Sequence, residues 1–334
     1  MRKTIIIAEA GVNHNGDLET AKRLIEVAAK AGADYVKFQT FTASELVTEN
    51  ANRAVYQIKN SNIDESQFQM IQRLELKREY HKLLIDYSKI CGIKFLSTAF
   101  DINSLDFLDS LGVDLFKIPS GEITNYPYLK AVASYRKKII LSTGMSTLAD
   151  VENAISILLN FGSRREDITI LHCTTEYPAP IDEVNLLVMN TLKTSFGVEV
   201  GYSDHTMGIV IPISAVSLGA SVIEKHFTLD RNMEGPDHKA SLEPDELISM
   251  IESIRLVEQA LGDGIKRVTQ SEKRNINIAR KSLVANKKIN KGDIFTSLNV
   301  SIKRPGSGIS PMRYDEIIGR IAIKDFDLND LIEI

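Results

Sequence analysis

Eight short apolar runs, spread from residue 4 to residue 227, constrain this chain more than any other feature. They read TIIIAEAG (4–11), DYVKFQT (34–40), KFLSTAF (94–100), LFKIPSGE (115–122), KIILSTG (138–144), ITILHCT (168–174), VEVGYSDH (198–205) and SVIEKHF (221–227). Their β-branched residues and flanking glycines mark strands buried on both faces. Helical patterns lie between most of them, most clearly at Leu247, Met250, Ile251, Ile254, Val257 and Leu261, with Gly262 as a stop. Eight strands alternating with helices predict an α/β fold, a (β/α)8 TIM barrel over residues 1–265. A doubly wound sheet is the main alternative, but no GxGxxG follows the first run.

The polar residues of these runs gather at their C-terminal ends. They are Glu9, Lys37, Gln39, Ser97, Thr98, Lys117, Ser120, Glu122, Ser142, Thr143, Thr174, Asp204, His205 and His226. In a barrel those ends meet at one mouth, where barrel enzymes place their chemistry. Strand ends become polar wherever they meet loops, which accounts for Ser and Thr. It accounts poorly for two lysines and two carboxylates, because buried ionised groups are costly unless paired or ligand-bound. Lys37 and Lys117, with Thr98, Ser120 and Ser142, present the converging donors that a small anion needs. The same lysines could instead form structural ion pairs with Glu9 and Glu122. His205 and His226 end neighbouring strands, about 4.8 Å apart in a sheet, so one divalent ion could bridge them. With no cysteine nearby, oxygen ligands and water would complete its shell, which suits Mn²⁺ better than a structural zinc.

The remaining histidines read differently. His81 falls in a helical stretch and is expected at the surface, and His172, inside the sixth run, is expected as a satisfied core residue. The loop MEGPDHKAS (233–241) carries Asp237 and His238 and is a solvated polar loop unless it faces the catalytic side. Residues 41–79 form a long insertion with a helix near SQFQMIQRLEL and a further helix starting near Tyr80, of a size that usually shapes a substrate pocket.

Bulk properties exclude some function classes. A formal charge of −4 and a pI near 5.9 give no reason to expect nucleic acid or an acidic membrane as partner. The apolar start is broken at Glu9, too short for a signal peptide or a membrane span. Cys91 and Cys173 are far apart and outside any CxxC, so a disulfide framework is not indicated and a cytoplasmic location is expected. After Leu261 the composition turns polar. Residues 266–278 read as a linker, and residues 279–334 as a small second domain of short segments and turns, supported by docking or oligomerisation. Its KRPGSG turn (303–308), taken alone, reads as a basic surface loop.

The motifs AEAGVNHNG, VKFQT, KIPSGE, LSTGM, HCTTEYPAP, GYSDH, IEKHFT, GPDH and KRPGSGISP, in this order and spacing, resemble the bacterial sialic-acid synthase family over essentially the whole chain. The C-terminal unit resembles the antifreeze-like (SAF, β-clip) domain that ends those synthases. The resemblance implies condensation of phosphoenolpyruvate with an open-chain 2-acetamido sugar, releasing phosphate and forming a nine-carbon keto acid. It implies that His205 and His226 hold a divalent metal, Mn²⁺ or else Mg²⁺ or Co²⁺. Lys37, Thr98, Lys117, Ser120 and Ser142 would bind phosphoenolpyruvate, with Lys117 at the reacting phosphate. Glu122 would handle a proton near the attacking water. Glu9 would meet a sugar hydroxyl, with Gln39, Tyr177 and Asp237 on the sugar side. Arg304 would reach the barrel of a partner subunit in a domain-swapped homodimer. Thr175 departs from the pattern, standing where some members have asparagine. The forms AEAGVNHNGD, GDGIK and NINIARKSLVA lean toward the legionaminate branch, with N-acetylmannosamine as the other candidate sugar. Two further readings are another metal-assisted phosphoenolpyruvate aldol synthase and a non-catalytic carbohydrate- or ice-binding protein. A second basic cluster would favour the first and a broken set of polar strand ends the second, and neither is found.

Overall fold

The computed structural model describes residues 3–54, 57–58 and 65–334. Each of the eight runs forms a strand: β1 Ile5–Gly11, β2 Tyr35–Thr40, β3 Lys94–Ala99, β4 Leu115–Ile118, β5 Lys138–Ser142, β6 Ile168–His172, β7 Glu199–Asp204 and β8 Val222–His226. They pair in parallel in sequence order, and β1 closes on β8 through Ile5 opposite Val222 and Glu9 opposite His226. The fold is therefore the expected closed barrel. β4 is shorter than its run because Pro119 has no N–H for the ladder, and a 3-10 turn, Ser120–Glu122, follows. Helices fill the crossovers. Asp17, Asp101 and Asn125 cap three of them with side-chain oxygens, and Gly92 and Gly197 end two others in left-handed conformations.

Two-residue alternation sorts every strand residue into an inward or an outward set. The outward set packs against the helices as the main core, with Val36, Phe38, Phe116, Ile118, Ile170, Val200 and Ile223 fully or nearly buried. The inward set stacks in layers. The lower layer is apolar: Ile7, Tyr35, Leu96, Leu115, Ile140, Leu171 and Val222. One step toward the C-terminal ends, the inward positions are Glu9, Lys37, Thr98, Lys117, Ser142, Cys173, Ser203 and Glu224, all buried. The polar residues thus sit as one ring on an apolar floor.

Three sequence expectations are corrected. His81, expected at the surface, is fully buried on the helix Arg78–Cys91, bonded at 2.8 Å to Thr40 Oγ1, which also lies 2.6 Å from Ser97 Oγ. Thr40 and Ser97 point outward and bond each other, and His81 on the helical layer is the further partner of Thr40. The stretch 266–278, expected as a linker, contains most of the helix Gln270–Ala279, started by a capping box between Thr269 and Glu272. The loop carrying Asp237 and His238 is not solvated: both side chains are buried.

The chain divides into two compact units, residues 1–263 and 264–334. The second has its own core around Leu283, Ile289, Phe295, Val300 and Phe326, and an antiparallel pair, Ser282–Ala285 with Val300–Lys303. In the long insertion, the helices Ala43–Leu46 and Gln67–Leu74 place Leu46, Met70 and Leu74 against Val12 and Phe41. Part of the NRAVYQIKN stretch lies outside the described residues. No described helix is long and apolar enough to cross a membrane.

Gly201 on β7 has a steric role in the apolar floor. A Cβ there would lie 2.3 Å from the Val222 carbonyl oxygen and 2.7 Å from Leu171 Cδ2. Gly201→Ala is therefore expected to lower stability by more than the about 1–3 kcal/mol typical of an overpacked core. Urea unfolding measures this, and an unchanged midpoint would contradict the layer arrangement.

Candidate active site

The polar ring opens into a cavity of about 260 Å³, lined among others by Glu9, Lys37, Gln39, Thr98, Lys117, Ser120, Ser142, Tyr177, His205 and His226. Ten of the thirteen residues singled out from the sequence therefore share one space. An adjoining cavity of about 890 Å³ shares Met145, Cys173 and Thr175 with it but contains neither lysine and neither of the two histidines. Size alone would select the larger space, whereas both lysines and the carboxylates paired with them are in the smaller one.

The ring is held by charge pairing. Lys37 Nζ lies 2.7 Å from Glu9 Oε2 and 2.9 Å from Thr98 Oγ1, and it is 3.6 Å from Glu224 Oε2. Lys117 Nζ lies 3.2 Å from Glu224 Oε1, which also accepts from Ser203 Oγ at 3.0 Å. Burial pushes the Glu9 carboxyl up to about 7, while the nearby lysines oppose that shift. Glu224 is held down at about 2: Lys117 and Lys37 outweigh the effect of burial. The two carboxylates thus divide their work, with Glu224 the fixed anion and Glu9 able to gain or lose a proton near neutrality.

Apart from Glu9 Oε2 and Glu224 Oε2, which are ion-paired with Lys37, three buried polar atoms around the cavity have no hydrogen-bond partner among the described residues: Ser142 Oγ, Thr175 Oγ1 and His226 Nδ1. Buried groups of this kind are normally satisfied, so unpaired ones at a cavity wall mark where a ligand binds. Gly144 leaves the room they need. A Cβ there would fall 2.1 Å from Thr175 Oγ1 and 2.9 Å from Ser120 Oγ, the oxygen that accepts the Gly144 N–H at 2.9 Å.

His205 and His226 face each other with ring centroids 5.7 Å apart, and Tyr177 lies against both, 4.1 Å from the first and 5.6 Å from the second. His205 Nδ1 lies 2.6 Å from the Thr174 carbonyl, which accepts its proton and turns Nε2 the other way. Burial lowers His205 to about 4 and drives His226 well below the usual histidine value, so both rings are neutral and able to act as ligands. Among the described residues no third His, Cys, Asp or Glu joins them in a metal-ligand cluster. Asp237 Oδ2 comes no nearer than 4.0 Å to His226 Nδ1, and Asp237 is outside the cavity lining.

Two expected site residues of the barrel are placed elsewhere. Besides Asp237, Glu122 does not line the cavity; its Oε2 accepts a 2.6 Å bond from Asn125, the cap of the next helix. Arg304 lies in the second unit, where Nε donates to the Ala279 carbonyl at 3.1 Å. Asp204, at a strand end, points out of the barrel. Conversely, Glu224, Ser203 and Cys173 line the site and were not singled out. Alternation would have found them, since Glu224 lies two residues before His226 and Ser203 two before His205.

The NeuB family profile matches residues 24–266, and the SAF domain profile matches residues 280–332. Over 332 residues, 99% of both chains, the protein is 59% identical to the N,N'-diacetyllegionaminic acid synthase of Campylobacter jejuni. It is 46% identical to the enzyme of the same name from Legionella pneumophila, over 94% of this chain and 89% of that one. The crystal structure of an N-acetylneuraminic acid synthetase from Leptospira borgpetersenii, in complex with citrate, superposes with a TM-score of 0.74 at 36% identity. It covers 82% of this chain and 90% of that one. With one profile matched across most of the barrel and the other across the C-terminal unit, the chain belongs to the NeuB family and ends in a SAF domain.

Proposed function

We propose that this protein condenses phosphoenolpyruvate with 2,4-diacetamido-2,4,6-trideoxymannose to give N,N'-diacetyllegionaminate and phosphate. The observation that carries the reaction class is the ring of Lys37, Lys117, Ser120, Ser142 and Thr175 on one small cavity beside two neutral histidines. Phosphoenolpyruvate is a compact anion with charge at both ends. Two ammonium groups and unpaired hydroxyls in a cavity of about 260 Å³ match it in charge and size. Thr175 supplies a buried hydroxyl where some relatives carry an amide, so the contact is kept with a different donor. The choice of sugar follows the 59% and 46% identical relatives, both named for the diacetyllegionaminate product. N-acetylmannosamine, giving N-acetylneuraminate, is the other candidate.

His205 and His226 fit a divalent cation, Mn²⁺ or a similar ion. Both are neutral, one has its Nδ1 already engaged by a carbonyl, and the other leaves a buried nitrogen unpaired. With two protein ligands, water and substrate oxygens would complete the shell. Such an ion, when bound, supplies a Lewis acid for the aldehyde oxygen.

The chain's own groups do the rest. The enol carbon attacks the aldehyde carbon, so that a C–C bond forms and the aldehyde oxygen takes a proton. Water adds to the former enol carbon and gives up one proton, and as the C–O bond to phosphate breaks, the hydroxyl it leaves there passes its remaining proton to the departing phosphate to give the ketone. Lys37 and Lys117 hold the phosphate as its charge grows. Glu9 faces the cavity and, at about 7, can carry the proton exchanged between water and the new hydroxyl. Glu122 joins that exchange only if its carboxylate leaves Asn125. Gln39 and Tyr177 line the sugar side, and Asp237 lies behind His226.

A second subunit completes the site in this reading, with Arg304 contributed by the partner. The unit from Gly264 onward holds 14 Lys and Arg against eight Asp and Glu, while the barrel holds 26 against 36. Opposite net charges favour docking of one copy's SAF unit on another copy's barrel. Both thiols, Cys91 and Cys173, are free, as the cytoplasm would keep them. Sedimentation equilibrium is expected to give twice the chain mass of 37.2 kDa, and a monomer at working concentration would remove the partner from the site.

The assay that tests the function is phosphate release from phosphoenolpyruvate with Mn²⁺, with the two sugars compared side by side and the product mass determined. Release with the diacetamido sugar, abolished by a chelator, is expected. Release with N-acetylmannosamine alone would move the protein to the neuraminate branch. Release with neither, from folded metal-loaded protein, would contradict the reaction.

A further inference from the structure

Alternation leaves one pair of charges outside the cavity. Ser203 and His205 on one side, and Glu224 and His226 on the other, face inward, so the residues between them, Asp204 and Lys225, face out of the barrel. There they meet. Lys225 Nζ lies 2.6 Å from Asp204 Oδ2 with both side chains fully buried, and the same ammonium donates to the Thr206 carbonyl. Asp204 accepts in turn from the Thr206 N–H and from Thr206 Oγ1, each at 3.1 Å.

This cluster occupies the last rung between β7 and β8, because their ladder ends with Asp204 opposite Lys225. His226 is still held on its other side by β1, opposite Glu9, but His205 lies one residue beyond the end of β7. A fully buried ion pair contributes little to stability, because desolvation offsets its attraction and apolar replacements are often as stable. What such a pair can fix is register. Here one ammonium, on the residue before His226, holds the side chain before His205 and the carbonyl after it.

We propose that Asp204, Lys225 and Thr206 form a positioning clamp that sets the spacing and orientation of His205 and His226 for a shared divalent cation. The clamp rests on the reading of the two histidines as cation ligands. None of its side chains enters the cavity. They act through the histidines, as groups behind metal ligands commonly do, where their loss weakens metal binding about 10–100-fold.

The test is Mn²⁺ binding to the full chain without substrates, read as free Mn²⁺ by electron paramagnetic resonance, alongside urea unfolding of the metal-free protein. The double variant Asp204→Asn/Lys225→Met removes both charges. Thr206→Val, nearly isosteric, removes only one hydroxyl donor and serves if the double variant does not fold. The clamp predicts at least about tenfold weaker Mn²⁺ binding by the folded double variant and a severalfold loss in Thr206→Val. A merely structural role would lower the unfolding midpoint and leave the affinity of the folded protein unchanged, and that result in either folded variant overturns the proposal. Wild-type protein that binds no Mn²⁺, or binds it equally well as His205→Ala, overturns the histidine reading and the clamp with it.

Discussion

Four buried charges in the barrel interior set the terms for the rest of this protein. Lys37, Lys117, Glu9 and Glu224 sit in one layer, each almost without exposure, above a floor of aliphatic side chains and one tyrosine. Taking a single ion out of water costs several kcal/mol even after relaxation, so none of the four is tolerable alone. Together they are close to neutral, and the separations of 2.7 to 3.6 Å among them offset much of that cost. The arrangement is nevertheless unbalanced. Glu224 stays ionised between two lysines, while burial raises Glu9 to about 7 and lowers Lys117.

The same alternation that makes the ring also explains how it is supported. Residues facing outward at the ends of the strands lie in the dry space between barrel and helices, and each polar one there has a partner. Thr40 bonds both His81 and Ser97, and Asp204 meets Lys225. These outward pairs brace the strand ends that carry the inward ones, so the precision of the cavity depends on residues that never touch its contents.

Much of this was legible in the sequence. The apolar runs specify the barrel because eight buried strands separated by helical patterns have few other ways to close. The polar ends of those runs located nine site residues in one cavity, and the family resemblance added Tyr177. What escaped notice did so for physical reasons. Glu224 and Ser203 lie inside their runs rather than at the ends, and only the two-residue period places them beside Lys117. His81 lies on a helix whose neighbours are mostly polar, and its partners, the Thr40 hydroxyl and the rings of Phe95 and Phe107, are distant in sequence. Glu122 carries the right chemistry at a strand end, but a short 3-10 turn directs its carboxylate to Asn125. Side-chain direction after a proline-broken strand is not a local property. The helix Gln270–Ala279 escaped notice because the polar composition there hid a capping box, which needs only Thr269 and Glu272 at the right spacing.

The central claim is that the layer of Lys37 and Lys117 binds phosphoenolpyruvate while His205 and His226 hold a divalent ion beside it. The most direct measurement is a crystal structure of the protein with Mn²⁺ and phosphoenolpyruvate, with anomalous data collected at the manganese edge. The account predicts an anomalous peak between the two imidazoles and the phosphate seated on the two lysines, with Ser142 and Thr175 hydroxyls engaged. A peak elsewhere, or phosphoenolpyruvate bound away from the lysines in a metal-loaded crystal, would contradict it.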